Sequence, residues 1–177
     1  MRGSAPITVP VRVLALRILV MLVALAVVAT PARAQRRRMR GARAGGVGAG
    51  AGPEIGGHLG YNFDVNNSVL GAQGTFPIAP QIDFYPSFDY YTVPNETDWG
   101  LNFDLKLRPP ALRFWYFGAG LNLLHTSAAG GNTDRHFNVF GGLEQRGGPL
   151  HPYAEAREIL GTGSRFQLVA GLSFPLR

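Results

Sequence analysis

The sequence predicts an all-β fold: an eight-stranded antiparallel up-and-down transmembrane β-barrel with a polar, filled interior, preceded by a signal peptide and a flexible linker. Three observations predict it. Between Glu54 and Arg177, eight stretches alternate apolar and polar residues with a period of two, as strands with two unlike faces do. The first residues have the pattern of an export signal. The polar face of the stretches is almost free of lysine, which usually coats soluble proteins; Lys106 is the single lysine in the whole chain.

The N-terminal elements come first. Arg2, Arg12 and Arg17 form a basic n-region, Ile18 to Thr30 is an apolar run of 13 residues, and Ala32-Arg33-Ala34 is an A-x-A site. The run is short for a spanning helix, which needs about 20 residues, so residues 1–34 are expected to be a secretory signal peptide cleaved before Gln35. Residues 35–53 (QRRRMRGARAGGVGAGAGP) are rich in Arg, then in Gly and Ala, with no apolar periodicity, and are expected to be a flexible linker. Nine of the 17 basic residues lie before residue 54 and all 11 acids lie from Glu54 onward. The formal charge of +6 therefore becomes 8 − 11 = −3 for residues 54–177, and the basic pI is no sign of nucleic-acid binding by the barrel. The chain has no cysteine, which excludes thiol catalysis, disulfides and cysteine-ligated metals.

The eight stretches follow in order. In Glu54–Asp64, Ile55, Leu59, Tyr61 and Phe63 oppose His58, Asn62 and Asp64. In Val69–Ile78, Leu70, Ala72, Phe76 and Ile78 oppose Gln73 and Thr75. In Gln81–Thr92, Ile82, Phe84, Phe88 and Tyr90 oppose Asp83, Ser87 and Asp89. Trp99–Pro109 is the cleanest, with Trp99, Leu101, Phe103, Leu105 and Leu107 against Gly100, Asn102, Asp104, Lys106 and Arg108. In Arg113–His125, Trp115, Phe117, Leu121 and Leu123 oppose Tyr116, Gly118, Gly120 and Asn122. In Arg135–Gln145, Phe137, Val139 and Leu143 oppose His136, Asn138 and Glu144. Leu150–Ile159 is the weakest, with Ala154 and Ala156 against Tyr153, Glu155 and Arg157. In Arg165–Leu176, Phe166, Leu168, Ala170, Leu172 and Phe174 oppose Gln167, Gly171 and Ser173.

Connections after the second, fourth and sixth stretches are compact and contain Pro; those after the first, third, fifth and seventh are polar, with Asn, Thr and Gly. Stretches of about 9–12 residues match a tilted membrane-crossing strand, and short turns opposite more polar loops match outer-membrane barrels. The polar face, with Asp83, Asp104, Lys106, Arg108, Glu144, Glu155 and Arg157 of mixed sign, suits a lumen in which charges pair. On the apolar face, Tyr61, Phe63, Tyr90 and Trp99 are expected at the outer lipid interface, and Phe76, Trp115 and Phe174 at the inner one. Backbone groups in lipid must all be paired, so the strands must close.

With these features the sequence resembles the small outer-membrane β-barrels of the OmpA-like and OmpX-like kind over Glu54–Arg177. RFWYFGAGLNLL (Arg113–Leu124) and the closing HPYAEAREIL…FQLVAGLSF (His151–Phe174) carry the resemblance most strongly. It implies residence in the outer membrane, contact with outer-membrane lipids and lipopolysaccharide, and insertion by the barrel-assembly machinery. In this family the last strand ends in an aromatic residue; here the alternation is kept but the chain ends in Arg177. Eight strands enclose a space that side chains fill, so the expectation is a plugged monomeric barrel with a structural or surface-interaction role, not an open pore.

Two alternatives stand beside it. His125 and Ser127 lie at i and i+2 on the apolar face and resemble the His-x-Ser pair of the outer-membrane lipid A deacylases. That chemistry needs an acid to orient the histidine, and the next stretch offers only Phe137, Val139, Gly141 and Leu143 outward, with Asp134 in the loop. The other is a soluble periplasmic lipocalin-like barrel, with the apolar face inward around a lipid. His58, His136 and His151 show no metal-ligand spacing, no nucleotide motif occurs, and no cofactor is expected.

Overall fold

The computed structural model describes residues 52–161 and 164–176; the signal peptide expected over 1–34 and almost all of the 35–53 linker lie outside them. Eight strands follow one another: β1 (Glu54–Asn62), β2 (Asn67–Ala79), β3 (Ile82–Tyr91), β4 (Asp98–Leu107), β5 (Trp115–Thr126), β6 (Asn132–Glu144), β7 (His151–Leu160) and β8 (Arg165–Pro175). Each pairs antiparallel with its sequence neighbour, and β1 pairs with β8, so the sheet closes as a barrel in chain order. The eight expected stretches are the eight strands.

The ends moved for local reasons. β4 stops at Leu107, before Pro109 and Pro110, because proline has no N–H for the ladder. β6 begins at Asn132, three residues earlier than expected, with pairing continuing to Thr126↔Asn132. A single 3-10 turn, Ala128–Gly130, reverses the chain, and Gly130 and Gly131 take φ of 100° and 81°, which only glycine adopts without strain. In β3, Pro86 lies within the strand; the β2–β3 ladder runs to Gln73↔Ser87 and resumes at Phe76↔Phe84, the gap falling where a Pro86 N–H would have donated.

The register fixes the dimensions. Partner by partner from Trp115, the ladder passes through Leu143, Ala154, Ala170, Leu59, Leu70, Tyr90 and Trp99 and returns to β5 at His125, 125 − 115 = 10 residues further along. Eight strands with a shear of ten tilt by about 40° and enclose a backbone cylinder of roughly 8 Å radius. About thirty inward side chains project into that space.

The two faces are opposite in chemistry. Outward residues are apolar and exposed: Leu59 67 %, Leu70 57 %, Leu105 52 %, Phe137 66 %. Inward residues are polar and buried, among them His58, Gln73, Asp89, Asn102, Asp104, Asn138, Glu155 and Arg157. The lipocalin-like alternative required the reverse and is overturned: the apolar residues that would line its cavity form the outer surface. Large apolar side chains such as Leu59, Leu70, Leu105 and Phe137 are thus on the outside, and the interior is held by ion pairs and hydrogen bonds.

Candidate functional site: the barrel interior

The interior has three levels. At the end carrying the β2–β3, β4–β5 and β6–β7 turns, Glu144 of β6 gathers cations. Its Oε2 accepts Lys106 Nζ at 3.0 Å and Arg108 Nη1 at 2.8 Å, and its Oε1 faces Arg146 Nε at 3.4 Å. Arg108 Nε also donates to Asp83. Lys106 is sandwiched as well, its Nζ 4.4 Å from the Tyr85 ring centre and 3.9 Å from that of Tyr116, a cation–π arrangement. At the same end His151 Nδ1 lies 3.3 Å from Glu54 Oε2.

The middle level is a second charge cluster. Arg157 Nε and Nη2 donate to Glu155 Oε1 at 3.1 and 3.0 Å, and Nη2 lies 3.1 Å from Asp104 Oδ2. Tyr116 OH donates to Glu155 Oε2 at 3.0 Å. Asn138 Nδ2 donates to Asp104 Oδ1 at 3.1 Å and to Asn102 Oδ1 at 2.7 Å. Asn102 in turn donates to Asp89 Oδ2 (3.0 Å), and Asp89 Oδ1 lies 2.8 Å from His58 Nε2, whose other ring nitrogen meets Gln73. One connected chain of polar groups thus spans the lumen from β7 to β1. Toward the opposite end, Val69, Tyr91 and Leu124 form a small apolar layer.

Glycine makes this filling feasible. Gly120 stands between Asp104 and Asn138 in the register, and a Cβ there would meet the Asp104 carboxylate and the Phe103 carbonyl. Without one, Asn138 reaches across β5 to β4. Likewise the Tyr116 ring lies over Gly142 and the Phe140 ring over Gly118, a large side chain beside each small one, as close packing requires.

The residues expected in a lumen network all face the interior, but they form two clusters. Lys106, Arg108, Glu144 and Asp83 belong to the turn end, and Glu155, Arg157 and Asp104 to the middle, with Tyr85, Tyr116 and Phe140 packed as an aromatic layer between them. The sequence reading missed Tyr85 and Phe140 as interior groups, although their parity with Asp83 and Asn138 carried that signal. It also missed the Glu54–His151 pair, whose members are 97 residues apart in sequence (151 − 54) and meet only through the closure of the barrel.

On the outer face, Tyr61 and Phe63 meet edge to face at 5.1 Å near the loop end of β1. Tyr90 pairs with Trp99 across β3 and β4, and Trp99 stacks on Phe88 and on His125. Trp115 stacks on Phe117 at the turn end, where Phe76 and Phe174 also sit. His125 Nδ1 lies 2.9 Å from Thr133 Oγ1, whereas Ser127 Oγ accepts the Thr97 N–H at 2.6 Å and the Ser127 N–H goes to Asp98. His125 and Ser127 thus each have another partner, and Ser127 ties the β3–β4 and β5–β6 connections together.

No protein-family model and no curated protein sequence matches the chain. Solved structures do. The N-terminal β-barrel domain of Pseudomonas aeruginosa OprF superposes with a TM-score of 0.58 at 13% identity, covering 70% of this chain and 96% of that one. The solution structure of the de novo designed TMB2.3 gives 0.52 at 16% identity, covering 72% and 95%. At such identities the likeness concerns the fold, and with the closed register it gives one conclusion: residues 54–175 form a closed eight-stranded antiparallel β-barrel similar in fold to the N-terminal β-barrel domain of OprF.

Proposed function

We propose that the chain is a monomeric outer-membrane barrel with a structural or surface-interaction role and no open pore, and that it is not an enzyme. One observation carries the reading: an exposed apolar belt encloses an interior occupied by mutually paired charges and aromatic rings. An apolar surface of this extent on an isolated chain calls for a partner, and the tilt, strand length and absence of a sheet edge make the bilayer the fitting one. The partners in this reading are outer-membrane lipids, lipopolysaccharide and the barrel-assembly machinery. The Tyr85–Tyr116–Phe140 layer and the two ion-pair clusters leave no continuous water path of ion-conducting width in this reading.

Two measurements test it together. Outer-membrane fractions run with and without boiling should show the protein there, migrating faster when unboiled, as compact barrels do. In planar bilayers the purified protein should give no steady conductance. Recovery in a soluble fraction without detergent would refute the membrane reading, and persistent channel steps would refute the plugged interior.

A further inference from the structure

The Glu54–His151 pair at the turn end is not explained by the ion-pair clusters. Glu54 is 1 % exposed and His151 8 %. Glu54 Oε2 and His151 Nδ1 are buried and, although 3.3 Å apart, are not aligned for a hydrogen bond with each other; neither has any other hydrogen-bond partner among the described residues. A buried carboxylate oxygen and a buried imidazole nitrogen left in this way are costly. The third group is Glu144: one oxygen each from Glu54 and Glu144 and one nitrogen from His151 all lie within 4.8 Å of one another.

The spacing has a chemical meaning. Two donors each about 2.0–2.1 Å from a tetrahedral ion lie about 3.3–3.4 Å from each other, which is the Glu54–His151 separation. We propose that Glu54, Glu144 and His151 form a divalent transition-metal site of the zinc class at the turn-end mouth of the barrel, with Arg146 as the cation that the metal displaces. One imidazole nitrogen with two carboxylates suits zinc over magnesium or calcium, which prefer all-oxygen shells. Three protein ligands leave a fourth position for water.

The neighbouring charges define how the site works. Lys106 and Arg108 hold Glu144 Oε2, and Arg108 is also answered by Asp83. Among the described residues, Glu144 Oε1 is held only by Arg146, at 3.4 Å, and Arg146 also lies 4.0 Å from Asp83. The Arg146 side chain is 34 % exposed and stands on the β6–β7 turn, so it can turn to water and free Oε1. With Arg146 withdrawn, Glu54, Asp83 and Glu144 outnumber Lys106 and Arg108 by one negative charge, which the incoming ion meets.

The test is calorimetric titration of the full, tag-free chain, folded in detergent micelles, with zinc chloride. The proposal expects one zinc per chain and at least about 100-fold weaker binding of magnesium, as the ligand set dictates. Glu54→Gln and His151→Gln should each weaken zinc binding at least about tenfold, the loss of a ligand being no milder than loss of a group that orients one. Arg146→Gln should tighten it several-fold. Faster migration of unboiled samples shows that each variant has folded. If a ligand variant does not fold, the wild-type protein decides: zinc must shift the His151 imidazole resonances in NMR spectra. No zinc binding, binding unchanged by His151→Gln, weaker binding by Arg146→Gln, or unshifted His151 resonances would each overturn the proposal.

Discussion

Arg157 lies between the Glu155 and Asp104 carboxylates with 2 % of its surface exposed, and its guanidinium also covers the Phe140 ring at 4.9 Å. Removing one partner of a buried pair leaves the other charge unanswered, at a cost of about 3–5 kcal/mol. Arg157→Met should therefore lower stability by that order in urea unfolding from lipid vesicles, because two carboxylates lose their cation at once. Lys106→Met should cost clearly less, since Arg108 remains on Glu144 Oε2; equal losses would contradict the division of the lumen into two clusters. Gly120→Val should also destabilise the barrel, since its side chain would displace the Asp104 carboxylate and cut the Asn138 bonds. Adding Asp104→Ala should not restore stability, because a Cβ at position 120 also meets the Phe103 carbonyl and Arg157 would lose a carboxylate; full restoration would contradict both contacts.

The strands owe their legibility to parity. In β4, every second residue from Trp99 to Leu107 is apolar and points outward, while Asp98, Asn102, Asp104 and Lys106 are buried. Period two alone does not say which face is inside; the export signal, the strand length, the lysine-poor face of mixed-sign charges and the aromatics near strand ends decided it, and the burial of Asp104 against Arg157 agrees. The less legible parts are those set by contacts distant in sequence. The Glu54–His151 meeting depends on β1 closing against β8, and the early start of β6 depends on two glycines with positive φ holding a tight reversal. The opposite faces of one strand should respond oppositely to charge. Phe103→Arg places a guanidinium in the centre of the outer belt and should cost about 2–4 kcal/mol in vesicle-embedded protein. A loss near zero would mean that this face does not meet hydrocarbon.

For the barrel as a whole, the shear of ten and the polar interior make one account of the fold and of the proposed function. At a tilt of about 40°, strands of 9 to 13 residues have the span that the proposed bilayer placement requires, and closure leaves no unpaired sheet edge. The low sequence identity to OprF, 13%, has a physical reading: the fold requires alternation, small residues beside large ones and a balanced lumen, and many sequences meet those terms. The central claim is that the apolar face meets lipid and the polar face the lumen, and the cysteine-free chain makes it directly measurable. Single cysteines placed in turn from position 99 to 107 would be labelled with a small fluorophore, and the labelled proteins folded into vesicles whose acyl chains carry bromine. Quenching by the brominated chains should be strong at 99, 101, 103, 105 and 107 and weak at 100, 102, 104 and 106. Quenching that is uniform along the strand, or strongest at the even positions, would contradict the account.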